Sequence, residues 1–81
     1  MAQELIVVER DSPGVVVLTL NRPERRNALS IALMEALCAA IEAAEREEGG
    51  RVVIIRGAGP VFCAGLDLHE AAQAASPEPA I

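Results

Sequence analysis

The chain has 81 residues, enough for at most one small domain that buries about 60–65% of its unfolded surface. It is 52% hydrophobic, which excludes generic disorder, yet Phe62 is its only aromatic residue, too little bulk for a self-sufficient core. The net charge of −5, with no lysine at all, argues against nucleic acid or an anionic membrane as partner, while leaving room for one anionic ligand at a local arginine cluster.

Leu5 to Glu9 reads as a short strand. Asp11-Ser12-Pro13-Gly14 is a turn, because proline presets φ and glycine permits a positive one. Val15 to Leu20 follows as a second strand, so the two form a hairpin, and Asn21-Arg22-Pro23 ends it. Ser30 is the expected N-cap of a helix running to about Glu48, with Leu33, Met34, Leu37, Ile41 and Ala44 in one apolar stripe. Gly49-Gly50 supplies its stop.

Val52-Val53-Ile54-Ile55 is a continuous apolar run, the pattern of a strand covered on both faces. Strand, helix, strand predicts a right-handed crossover that sets Val15–Leu20 parallel to Val52–Arg56. Gly57 to Gly65 is then a loop and Leu66 to about Ala74 a short helix, which Ser76-Pro77-Glu78-Pro79 cannot continue. The architecture is α/β, a β-hairpin followed by a βαβ unit. It is unfinished, since a doubly covered strand needs more layers than one helix supplies.

No apolar run approaches the length of a membrane span, and Met1 leads into Gln3 and Glu4 rather than a basic leader. Cys38 and Cys63 are too few for a disulfide framework and fit no metal motif; reduced thiols and a cytoplasmic location are the expectation.

The chemistry is expected in the loops after the two parallel strands, where α/β sheets place ligands. Gly57, Gly59 and Gly65 allow close backbone approach, and a helix starting after Gly65 would aim free N–H groups at a polarised oxygen. Gly57-Ala58-Gly59 lacks the third glycine of a dinucleotide fingerprint, Phe62 standing in its place, and there is no P-loop lysine. An unrelated nucleotide-binding fragment is therefore disfavoured.

Leu18-Thr19-Leu20-Asn21-Arg22-Pro23-Glu24-Arg25-Arg26-Asn27-Ala28-Leu29 and, after the helix, Arg56-Gly57-Ala58-Gly59-Pro60-Val61-Phe62-Cys63-Ala64-Gly65-Leu66-Asp67-Leu68 form a pair of motifs. Together they closely resemble the LNRPxxxNAL and GxGxxFxAGxDL patterns of the crotonase (enoyl-CoA hydratase/isomerase) superfamily, over about residues 4–72. The resemblance implies the N-terminal part of the crotonase (ClpP-like) ββα superhelical fold in residues 1–72, and in 73–81 a flexible tail that starts a mobile loop. It implies that the backbone N–H of Leu66 is one donor of an oxyanion hole that stabilises a thioester enolate. Ala64, Asp67 and Leu68 match positions lining the coenzyme A channel, and Glu24, Arg25 and Arg26 match the loop beside its phosphates, a role that suits the arginines.

Arg22 is read instead as holding a structural hydrogen bond or ion pair, and Asn21 and Asn27 as turn and cap residues. Asp67 is more a support of the loop than an acid. His69, the sole histidine, has no orienting partner in the sequence and is set aside as a base; Cys63 lacks a paired base and is set aside as a nucleophile.

The implied activity is hydration of a 2-enoyl-CoA, with coenzyme A part of the substrate, no bound cofactor and no metal. The second oxyanion glycine and the acid/base glutamates lie beyond the matched region in this family. The chain is thus expected to need a C-terminal portion or companion chain, and the whole to form a trimer or hexamer. An inactive truncated domain with a packing role, or another reaction of the family (isomerase, hydrolase, decarboxylase), is the alternative.

Overall fold

The computed structural model describes residues 4–47 and 52–74. β1 (Ile6–Ser12) runs antiparallel to β2 (Val15–Leu20), with Ile6 opposite Leu20 and Ser12 opposite Val15. The strand reaches beyond Glu9 because the ladder continues to the Pro13-Gly14 turn, with one irregularity of register between Arg10 and Ser12. Alternation along β2 sends Val16, Leu18 and Leu20 to one face. There they bury with Ile6, and with Leu33 and Ala44 of α1 (Ile31–Glu45). Each of the Val, Leu and Ile side chains stabilises the fold by about 1.5–3 kcal/mol when fully buried.

Ser30 caps α1 as the sequence predicts: its backbone is extended and its Oγ accepts the Leu33 N–H at 3.1 Å. A second free amide of that end, Ile31 N–H, donates to Glu70 Oε1 at 2.8 Å, which ties α1 to α2 (Leu68–Ala74). Leu37 and Ile41 pack around the core with Leu33 and Ala44, whereas Met34 turns to a recess beside α2. The helix stops at Glu45, short of Glu48, with Arg46 as its cap, and Glu47 just beyond forms an ion pair with Arg10 of β1. The expected Gly49-Gly50 stop lies outside the described residues. α2 reaches Ala74, as the sequence predicts, and residues 75–81 of the expected tail lie outside the described residues.

β3 (Val52–Gly57) pairs with β2 in parallel, Val15 opposite Val52 through to Leu20 opposite Gly57, so the βαβ unit forms as expected. The sheet order is β1-β2-β3, which makes β3 an edge strand. Its cover on both faces is absent among the described residues: Val52, Val53, Ile54 and Ile55 are 48%, 39%, 43% and 37% exposed. The reason is geometric. One helix spans about two strands at ordinary packing distances, and α1 lies over β1 and β2. On the face away from α1, Arg56 donates to Thr19 Oγ1 and pairs with Glu9, both at 3.1 Å. No helix among the described residues is long and apolar enough to cross a membrane.

Candidate functional site

Because Leu20 pairs with Gly57, the loops that follow β2 and β3 leave the sheet side by side. The first tightens at once into a 3-10 turn over Pro23–Arg25, with proline where the missing N–H does no harm. Arg26 and Asn27 then take left-handed backbone, φ 55° and 56°, and swing the chain back toward the second loop.

Asn27 joins the loops. Fully buried, it accepts the Arg22 N–H on Oδ1 at 2.8 Å, and its Nδ2 donates to the carbonyls of Ala58 at 3.0 Å and Val61 at 2.8 Å. Gly57 makes room for this: a Cβ there would lie 2.3 Å from the Phe62 carbonyl oxygen and 2.8 Å from Asn27 Nδ2. Further on, residues 64–67 lie along residues 26–29 as a short parallel ladder. Ala64 N–H donates to Arg26 O (3.0 Å), Leu29 N–H to Gly65 O (2.7 Å) and Asp67 N–H to Leu29 O (3.1 Å), with Leu29 and Leu66 forming the bridge pair.

That ladder decides what Leu66 can do. In extended chain, successive N–H groups point to opposite sides. With Gly65 O and Asp67 N–H turned to Leu29, the Leu66 N–H is turned away, and it makes no hydrogen bond among the described residues. Its neighbours are occupied: Gly65 N–H reaches Cys63 Sγ at 3.4 Å and Asp67 N–H reaches Leu29 O. Leu66 as a residue is 59% exposed and borders an open cleft.

Asp67 is buried, as few carboxylates are. Its Oδ2 pairs with Arg22 Nη1 at 3.0 Å and its Oδ1 accepts the Glu70 N–H at 3.1 Å, capping α2. The Glu70 hydrogen bond first, then the Arg22 guanidinium, hold its pKa below the ordinary 3.8 against the opposing pull of burial. Asp67 is thus a fixed anion and not an acid. Arg22, which also donates to Ala28 O at 2.9 Å, has the structural role expected of it. One expectation is overturned: no helix begins at Leu66 to aim its amides at a ligand. α2 starts at Leu68 and Asp67 fills its first turn, so the free donor of this segment belongs to extended chain.

Arg25, Ala64, Leu66, Asp67 and Leu68 come together around an open cleft of about 320 Å³, with Ala28 and His69. Glu24 and Arg26 do not line it. Both side chains are exposed, and Arg26 serves through its carbonyl on Ala64 N–H. His69 has no hydrogen-bond partner among the described residues. An apolar recess of about 410 Å³ opens on the other side of Leu66, between Leu29, Ile31, Met34 and Ala71. No three His, Cys, Asp or Glu side chains among the described residues are grouped to hold a metal. The sequence reading missed the reach of Asn27. The available signal was an asparagine after a proline-led turn, one of the few residues at ease in left-handed backbone.

Residues 10–80 match the sequence profile of the enoyl-CoA hydratase/isomerase family. The mouse mitochondrial methylglutaconyl-CoA hydratase is 42% identical over 72 residues, which are 88% of this chain and 23% of that protein. The 1,2-epoxyphenylacetyl-CoA isomerase of Escherichia coli is 42% identical over 57 residues, 70% of this chain and 22% of its own. The crystal structure of an enoyl-CoA hydratase from Mycobacterium avium superposes with a TM-score of 0.77 at 51% identity, over 83% of this chain and 30% of the other. The chain therefore spans less than a third of the length of these relatives.

Proposed function

The chain belongs to the enoyl-CoA hydratase/isomerase (crotonase) family, and from that premise we propose that it supplies one half of an oxyanion hole for a coenzyme A thioester. The observation that carries this is the unshared Leu66 N–H, held by a ladder whose other donors are all engaged. A donor fixed before the substrate arrives needs no reorganisation when charge develops on the thioester oxygen, and one such donor is worth on the order of 10²–10³ in rate.

The cleft beside Leu66 takes the coenzyme A portion, with Arg25 toward its phosphates and the backbone of Ala64, Asp67 and Leu68 along the channel. Arg22 offsets the Asp67 charge there, which leaves Arg25 as the net cation of the cleft. The reaction proposed is hydration of a 2-enoyl-CoA. Water adds its oxygen to C3 and gives up one O–H proton to a base, the double-bond electrons move through C2 onto the thioester oxygen, and the enolate takes up one proton at C2 from an acid as the carbonyl reforms. The second oxyanion donor and the groups that move those protons come from outside these 81 residues. A similar segment occurs in a relative named for different chemistry, an isomerase, which supports placing the choice of reaction in groups outside it.

A second observation bears on how the segment works. The four exposed apolar residues of β3 and its edge, unpaired among the described residues, fit a strand that further layers of a larger fold cover, a missing portion or companion chain. Replacing the Leu66 amide by an ester in the full-length chain removes the N–H and keeps the side chain. The expected result is a fall in kcat of about 10²–10³-fold; wild-type turnover would exclude Leu66 from the oxyanion hole.

A further inference from the structure

We infer that Asn27 is the positioning residue for the Leu66 amide, a role that rests on reading that amide as an oxyanion donor. Every polar hydrogen of its buried carboxamide is placed: Nδ2 donates both, to Ala58 O and Val61 O, while Oδ1 accepts the Arg22 N–H. Its backbone meanwhile lies at φ 56°, completing the left-handed turn begun at Arg26.

These two features act on the same segment from opposite sides. The left-handed turn presents Arg26 O, Leu29 N–H and Leu29 O to residues 64–67. The carboxamide holds the incoming loop at Ala58 and Val61, the latter three residues before Ala64. Between those attachments, residues 64–67 lie flat on residues 26–29, and the Leu66 N–H is turned outward. That N–H has no bond of its own to aim it among the described residues, so its direction is inherited from the ladder.

Deleting the Asn27 carboxamide leaves two half-buried carbonyls without their donor, and the loop relieves this by lifting toward water. The consequence falls on Leu66, because a displacement of about 1 Å at a reacting centre costs on the order of 10²-fold in rate. Asn27 touches no substrate; it acts through the backbone.

The variant for the test is Asn27→Gly in the full-length chain, since glycine adopts the left-handed backbone freely. Hydration of 2-butenoyl-CoA should lose about 10–100-fold in kcat with KM changed less than about threefold, the split expected when an interaction much stronger in the transition state than in the ground state is weakened. A spectroscopic readout separates this from general loosening. The infrared carbonyl band of bound butanoyl-CoA, isotope-labelled at its carbonyl carbon, should lie below its aqueous position in the wild type and move back toward it in Asn27→Gly. Asn21→Ala, which removes the 2.9 Å bond from Asn21 Nδ2 to Glu4 O outside the ladder, is the stability control and should keep both kcat and band. Where Asn27→Gly melts too low to assay, Asn27→Ser, with one donor in place of two, should give an intermediate band and kcat. A wild-type band at the aqueous position removes the oxyanion reading itself. A shifted wild-type band that both Asn27 variants retain, with kcat within about twofold, overturns the positioning role alone.

Discussion

Replacing Gly57 by alanine adds one methyl group at the most crowded point of the site. The new Cβ would lie 2.3 Å from Phe62 O, 2.7 Å from Val61 O and 2.8 Å from Asn27 Nδ2. Two of the three neighbours are backbone oxygens that no side-chain rotation can move, and contact to a Cβ is ordinary only from 3.4 Å outward. The loop must therefore retreat by about 1 Å, a shift that lengthens the Asn27–Val61 hydrogen bond past its useful range. Overpacking of this kind costs about 1–3 kcal/mol, and turnover should fall further, by on the order of 10²-fold, because the displaced loop leads into the Leu66 amide.

Gly65→Ala is the matched comparison. At Gly65 nothing lies within 4 Å of an added Cβ, but φ is +91°, so the penalty is conformational and near 1 kcal/mol. Asparagine should recover part of that loss at position 65 and none of it at position 57, where space is what runs out. Urea titrations of the two alanine and two asparagine variants of the full-length chain, read with thioester turnover, make the assay. Equal stabilities for Gly57→Ala and wild type, with turnover intact, would refute the reasoning that contact at Phe62 O governs the loop.

The cleft geometry divides the arginines: Arg25→Ala should weaken coenzyme A binding by about 1–3 kcal/mol, less at high salt, while Arg26→Ala changes it little; calorimetric titration measures both. Asp67 has a folded pKa lowered from 3.8, so the stability it contributes is present above that value and is lost as pH falls through the folded one. Urea midpoints followed into acid should therefore drop less steeply for Asp67→Asn than for wild type below pH 3.8, and identical slopes would remove Asp67 from the acid response. The isolated 81-residue chain, with β3 exposed on both faces, should associate or unfold without cooperativity. Sedimentation and thermal melting check this, and a cooperatively unfolding monomer contradicts it.

Local order in the sequence was enough for the elements. The Pro13-Gly14 pair with apolar runs on either side determined the hairpin, Ser30 and the spacing of Leu33, Leu37, Ile41 and Ala44 determined α1, and the Val-Val-Ile-Ile run determined β3. Each rests on contacts within a few residues, where propensity and period are decisive. The paired loop motifs also pointed to Leu66 and its surroundings through their resemblance to the crotonase pattern, and the two parallel strands bring residues 26–29 and 64–67 together. What a side chain does within that pairing is another matter. Asn27 looked like a turn residue, and only the approach of Ala58 and Val61, more than thirty residues away in sequence, makes it the clamp. Leu66 owes its unshared N–H to the register of its bridge with Leu29; one residue of slip would turn that donor inward and expose its neighbour's instead. Asp67 was read as a support of its loop, and only the meeting of Arg22 with the first turn of α2 shows how: as a cap and an ion-pair partner. Tertiary structure alone decided these, since hydrogen-bond direction and burial are properties of how two segments meet and of neither segment by itself.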